Sequence, residues 1–221
     1  MVDDTEATIA DEHTPSVVDR PSINVLYHQS VTGIPGVIGD LGRLDRAVYG
    51  AIADTPTPNL DVPLRELSSL ANHSKLWFMI AGGLALFGGE RGRRGAIAGV
   101  VSVGVASLIA NAVVKPFAQR RRPDREGEGV PDAREVTMPT STSFPSGHSA
   151  SAFAFASAVG KEIPAIGGPL RGLAGAVAYS RVHTGVHYPT DVIIGSIIGA
   201  SIGDVTLSLL RYGKRQHAAR A

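Results

Sequence analysis

Tyr179-Ser180-Arg181-Val182-His183-Thr184-Gly185-Val186-His187-Tyr188-Pro189-Thr190-Asp191 stands between two long apolar runs, Ile166 to Ser180 and Val192 to Leu210. A helix beginning near Tyr188 tolerates Pro189 in its first turn and puts Asp191 on the same face as His187, four residues earlier. Asp191 then holds one ring nitrogen of His187 and leaves the other open. A carboxylate behind an imidazole raises its basicity and fixes its tautomer, the requirements of a histidine nucleophile or base.

The neighbouring runs set the fold. Crossing a bilayer takes about 20 apolar residues, and Gly95 to Val114 is a clean run of that length that delivers Lys115 at its end. His148 to Gly160, Ile166 to Ser180 and Val192 to Leu210 supply three more runs. Leu76 to Gly89 reaches that length only if the chain from about Leu70 joins it, with His73 and Lys75 extending to the headgroups. Gly, Ala and Ser fill these runs, as in Ser149-Ala150-Ser151-Ala152 and Gly195-Ser196-Ile197-Ile198-Gly199, and small residues let helix backbones approach closely in lipid. The expected fold is all-α, an integral-membrane helical bundle of about five transmembrane helices.

Hydrophobic residues make up 43% of the 221 and charged residues 19%, an average that fits a soluble protein and conceals the segregation of charge outside the runs. There is no cysteine, so thiolate catalysis and cysteine-held metals are excluded. A net charge of +1 offers no general attraction to nucleic acid. No basic segment followed by an apolar core opens the chain, so no cleaved signal peptide is expected. Residues 1–22 are acidic and poor in large apolar side chains, and should be disordered. Residues 23–74 are expected to carry amphipathic helices at the membrane interface or against the bundle. One places Ile38, Leu41, Leu44, Val48 and Ile52 at helical spacing; a second begins near Pro63. Residues 75–212 then form the transmembrane core and 213–221 a basic tail.

Three cations accompany the imidazole. Lys115, Arg122 and Arg181 suit a phosphate, since guanidinium forks grip two oxygens and a lysine acts as a point charge. Pro145-Ser146-Gly147-His148 opens a helix whose free N–H groups favour an anion, with Gly147 allowing close approach and Ser146 offering a hydroxyl. The residues alone yield two histidines, a carboxylate and three cations.

These spacings resemble the type 2 phosphatidic acid phosphatase superfamily. Lys115, six residues, Arg122-Pro123 is similar to its first signature, Pro145-Ser146-Gly147-His148 to its second, and Ser180-Arg181, five residues, His187, three residues, Asp191 to its third. The resemblance implies that His187 attacks phosphorus, that His148 protonates the leaving oxygen and later activates water, and that Asp191 orients His187. It implies further that Lys115, Arg122, Ser146, Gly147 and Arg181 bind phosphate. No metal or other cofactor is implied. The expected function is a lipid phosphate phosphatase acting on a membrane phosphomonoester or diphosphate: phosphatidic acid, phosphatidylglycerol phosphate or a polyprenyl phosphate. Alternatives are a lipid phosphotransferase of the same superfamily and a noncatalytic phospholipid-binding membrane protein; soluble haloperoxidases of the superfamily would not need these spans.

Counting crossings brings all three signatures to one membrane face, while Arg91, Arg93, Arg94, Lys161, Arg171, Arg211, Lys214 and Arg215 gather at the other. By the positive-inside bias the site faces away from the cytoplasm in a multi-pass protein of the cell membrane. Arg120 and Arg121 read as a solvated charge run beside Arg122, His183 as a structural or substrate contact, Ser180 as a helix cap or phosphate contact, and Asn111 and Asp204 as buried polar contacts between helices.

Overall fold

The structure, a computed structural model, describes residues 34–219. The acidic segment 1–22 lies outside the described residues, and the contacts below belong to the unit Asp40–Ala221. Among the described residues the fold is all-α, with no strand. The helices are α1 Ile34–Asp54, α2 Pro58–Leu70, α3 Lys75–Phe87, α4 Gly89–Leu108, α5 Gly147–Glu162, α6 Pro164–His183 and α7 Pro189–Ala218, with α4 continued by a π-helical turn over Ile109–Val114.

α5 is the axis of the bundle. Its Ala150, Ala152, Ala154, Phe155, Ala156, Ala158 and Val159 are buried, because small side chains on every face let other helices close around it. α7 packs on it in parallel: a Cβ on Gly195, Gly199 or Gly203 would meet the carbonyl oxygens of Ser146, Ala150 and Ala154 at 2.5, 2.1 and 2.5 Å. The matching steps of four keep the two helices in register, so both begin at the same end. α4 runs antiparallel on another side, with Gly95 against Ile163 and Val159 and Gly99 against Phe155 and Val159.

Among the described residues two helices are long and apolar enough to cross a membrane, Gly89–Val114 with mean hydropathy 2.2 and Pro189–His217 with 1.8. Exposed Phe78, Met79 and Leu86 on α3, Ile97, Val101 and Leu108 on α4, and Ile193, Ile197, Val205 and Leu209 on α7 present large apolar side chains outward. In water such a surface invites association; in lipid it is the natural exterior.

The chain from Leu70 does not join the run from Leu76, the condition under which that run would reach a bilayer's thickness. Residues Asn72–Ser74 form a tight turn in which His73 and Ser74 have φ of 54° and 58°, so α2 and α3 are separate helices. α3, at 13 residues, is about 20 Å long against the roughly 30 Å of a hydrocarbon core. α2 also starts earlier than expected, at Pro58 rather than near Pro63. A proline at the first helical position is already set for the helix, and Pro63 is carried inside at the loss of one backbone hydrogen bond. The α3–α4 corner turns at Gly89, whose φ of 60° suits glycine.

Arg134, fully buried in the long segment between α4 and α5, fastens α1 and α2 to that segment. Its guanidinium donates to the carbonyls of Ile52 (3.0 Å), Ala53 (3.3 Å) and Thr55 (2.7 Å) at the end of α1, and pairs with Asp61 of α2 at 2.8 Å. At the opposite end of α5, Lys161 pairs with Asp204 at 2.7 Å and Arg211 with Glu162 at 2.9 Å. Asp204 is therefore an interhelical contact as expected, but 44% exposed rather than buried.

Candidate active site

The ends of four elements converge where α5 and α7 begin. α6 ends at His183, and Gly185, with φ of 69°, turns the chain so that the N–H groups of Val186 and His187 both return to the Arg181 carbonyl, at 3.1 and 3.2 Å. α7 starts at Pro189 with Tyr188 as its N-cap, as its sequence predicts. The backbone N–H of Ser146 donates to the Asp191 carbonyl at 3.0 Å and joins the first turns of α5 and α7.

Asp191 lies four residues after His187, and its Oδ2 is 3.4 Å from His187 Nδ1. The same oxygen accepts the Tyr188 N–H at 2.9 Å and the Ser143 hydroxyl. With Nδ1–H assigned toward Asp191, Nε2 of His187 carries the lone pair, 3.4 Å from Arg122 Nη1. Burial pushes the His187 imidazole down to about 4; the hydrogen bond to Asp191 works against this, and the nearby Arg122 and Arg181 reinforce it. The ring is neutral at neutral pH.

His187 opens on a cavity of about 250 Å³ whose wall includes Lys115, Arg122, Ser141, Gly147 and His148. Arg122 is held by neutral acceptors, the carbonyls of Val186 (2.7 Å) and Ser141 (2.9 Å). Lys115, delivered by the π-helical turn, donates to Ser141 Oγ at 3.1 Å. Its ammonium is held below its ordinary range by burial and by the neighbouring Arg122 and Arg181. His148, in the first turn of α5, shares a 2.9 Å hydrogen bond between Nε2 and Asn72 Oδ1.

The predicted residues thus come together, with two positioned differently from expectation. Ser146 is fully buried, and its oxygen caps α5 by accepting the Ser149 N–H at 3.3 Å, so its acceptor capacity is used within the helix start. Arg181 is 1% exposed and set behind the cavity wall, donating to Ser68 Oγ at 2.5 Å. His183 has a structural contact, with Nε2 2.9 Å from Thr57 Oγ1. Asn111 lines the cavity rather than a remote helix contact, because it lies only four residues before Lys115 on the same helix.

Arg120 is the main departure. Expected in a solvated run, it pairs with Asp191 at 2.8 Å and with buried Asp45 of α1. Its neighbour Arg121 is exposed as expected. Ser143, Asn72 and Asp45 were also not singled out. Ser143 belongs to a hydroxyl run, Thr140-Ser141-Thr142-Ser143, directly before Phe144-Pro145, and that run was the available signal.

A helical membrane protein whose buried imidazole faces a cavity lined by cations has the form of a phosphoric ester hydrolase, and comparison with known proteins agrees. The PAP2 superfamily profile matches residues 95–215, and the chain belongs to that superfamily. It is 35% identical over 177 residues to a decaprenylphosphoryl-5-phosphoribose phosphatase of Mycobacterium tuberculosis, covering 79% of this chain and 92% of that protein. The Mycolicibacterium smegmatis protein of the same name is 35% identical over 156 residues, covering 67% and 77%. Among solved structures, Aquifex aeolicus LpxE superposes with a TM-score of 0.58 at 26% identity, covering 75% of this chain and 95% of that one. A transmembrane PAP2 type phosphatidylglycerolphosphate phosphatase from Bacillus subtilis gives 0.58 at 24% identity, covering 78% and 87%, and shares the fold.

Proposed function

We propose that this protein removes a terminal phosphate from a polyprenyl-linked lipid, with a decaprenylphosphoryl-5-phosphoribose as the leading substrate, through a phosphohistidine on His187 and without a metal. The observation that carries the reading is the His187–Asp191 pair, with Nε2 open to a cavity lined by Lys115, Arg122 and His148. The 35% identity to the mycobacterial phosphatases over most of their length supports the substrate class.

The lone pair on His187 Nε2 forms a bond to phosphorus as the bond from phosphorus to the ester oxygen breaks. Protonated His148 gives its proton to that leaving oxygen, which departs as the alcohol. Asp191 accepts the Nδ1–H hydrogen bond and stabilises the phosphorylated imidazole's positive charge. Neutral His148 then takes a proton from water; the water oxygen bonds to phosphorus, the N–P bond breaks, and inorganic phosphate leaves. Lys115 and Arg122 stabilise the equatorial oxygens, where the transition state concentrates charge, and Arg181 adds its field from behind the cavity wall. The N–H groups at Gly147 and its neighbours add the field of the α5 N-terminus, while Ser146 holds that terminus in shape.

Residues 75–212 form the membrane core in this reading, with α4 to α7 as crossings, the shorter α3 beside them, and 213–221 as a basic tail. The contact of Asn72 with His148 supports placing the start of α3 on the site's side. Arg94, Arg211, Lys214 and Arg215 line the far end of the bundle, which the positive-inside bias assigns to the cytoplasm, so the site faces outward. The test is phosphate release in detergent micelles, with chelator present, from decaprenylphosphoryl-5-phosphoribose, phosphatidic acid and phosphatidylglycerol phosphate. The first is turned over fastest, His187→Ala is inactive, and His148→Ala accumulates labelled enzyme. Preference for a diacyl lipid overturns the substrate class; activity in His187→Ala overturns the nucleophile.

A further inference from the structure

α1 lies across the start of α7, where it brings a second carboxylate to the charges behind His187. Asp45 is 2% exposed. Its carboxylate accepts the backbone N–H of Thr190 at 2.8 Å, the Thr190 hydroxyl, and a nitrogen of Arg120. Thr190 is the second residue of α7, so a side chain from another helix occupies the anion position at its N-terminus. The other terminal nitrogen of Arg120 donates to Thr190 Oγ1 at 2.7 Å and to Asp191 Oδ1 at 2.8 Å. The guanidinium stacks 4.3 Å from the Tyr188 ring centroid, and Tyr188 meets Tyr49 of α1 edge-on at 5.6 Å. Asp45, Arg120, Asp191 and His187 therefore form a chain of carboxylate, guanidinium, carboxylate and imidazole.

Holding α7 in place would need only a neutral cap on Thr190. A guanidinium beside Asp191, however, draws on the carboxylate charge that His187 requires. A second carboxylate on the same guanidinium offsets that draw. We infer that Asp45 and Arg120 are positioning residues that act through Asp191 to set the proton affinity of His187, Asp45 raising it and Arg120 lowering it. The inference rests on His187 being the phosphoryl acceptor.

The other charged or titratable groups around His187 are Arg122 beside Lys115, Arg181 on α6 and His148 on α5. All are retained in the variants Asp45→Asn, Asp45→Glu and Arg120→Gln, so a difference between variants belongs to the pair. The single-turnover rate of enzyme labelling by radiolabelled decaprenylphosphoryl-5-phosphoribose, measured against pH, reads His187 directly. In Asp45→Asn the acid limb moves to lower pH by about half a unit or more. The plateau rate falls on the order of tenfold, the scale met when the partner behind an oriented histidine is lost. In Arg120→Gln the limb moves the opposite way, to higher pH, and Asp45→Glu stays near wild type. Each variant carries its own sign, so loss of one to misfolding leaves the others decisive. Limbs that coincide with wild type, or that move in the same direction in Asp45→Asn and Arg120→Gln, overturn the inference. A wild-type protein that takes up no label, or a His187→Ala variant that does, overturns the proposed nucleophile instead.

Discussion

Replacing Gly199 by alanine tests whether the α5–α7 contact sets the geometry of the site. The added methyl would lie 2.1 Å from the Ala150 carbonyl oxygen and 2.8 Å from its carbonyl carbon and Cα. A carbon–oxygen contact closes at about 3.3 Å, so the helices must part by roughly 1 Å. All three atoms are backbone, and no rotamer change relieves the clash. Overpacking of this kind costs about 1–3 kcal/mol. Ala150 is two residues from His148 and Gly199 eight from Asp191, so the separation reaches both ends of the site along rigid helices. A misplacement of about 1 Å costs on the order of 100-fold in rate. Phosphate release by Gly199→Ala should fall between tenfold and 100-fold, with a melting temperature lower by several degrees. Gly82→Ala is the control: nothing lies within 4 Å of its new methyl, so it should gain up to about 1 kcal/mol and keep wild-type turnover. Wild-type turnover and melting in Gly199→Ala would refute the reasoning.

Asn72→Ala removes the acceptor that holds His148, so turnover should drop about tenfold while KM changes little, as steady-state kinetics will show. Arg134→Ala leaves Asp61 without its buried partner and strips three carbonyls of their donor; thermal or denaturant unfolding should register a loss of about 3–5 kcal/mol. Stability should also depend on pH through His187. Its folded value of about 4 lies below the ordinary 6.5, so the unfolded chain takes up the proton first as pH falls. Stability contributed by the neutral ring is complete above about 6.5, declines as pH falls toward 4 and is level below that; melts of His187→Gln should lack this component.

The predicted site residues lie in three sequence segments, and two of those segments were legible from local spacing. Asp191, in the first turn of α7, follows His187, just before the N-cap, by four residues, and Ser146 stands where a run of small residues starts. The third, Lys115 to Arg122, was legible through its apolar run, which ends at the lysine. What stayed hidden depends on distant pairing. Arg120 is 75 residues from Asp45 and 71 from Asp191, and nothing local separates a clamped arginine from a solvated one in the run Arg120-Arg121-Arg122. The break at Asn72-His73-Ser74 was equally silent. It contains neither glycine nor proline, yet two of its residues adopt positive φ so that α3 can turn onto α4 and Asn72 can reach His148.

The structure separates the arginines and lysines near the site by the charge of their partners. Arg120 and Arg134 each meet a buried carboxylate, Asp45 and Asp61, and their charge is spent on joining helices. Lys115, Arg122 and Arg181 pair with no carboxylate among the described residues; their partners are neutral, among them Ser141 Oγ, the Val186 and Ser141 carbonyls, and Ser68. Neutral acceptors fix the direction of a cation without cancelling its field. In a medium of low dielectric that field would act strongly on the dianion of the proposed substrate, and Arg122 and Arg181 add to the depression that burial imposes on His187. In the proposed reaction, bound phosphate would offset the part of that depression contributed by Arg122 and Arg181, while the larger part, from burial, stays in place.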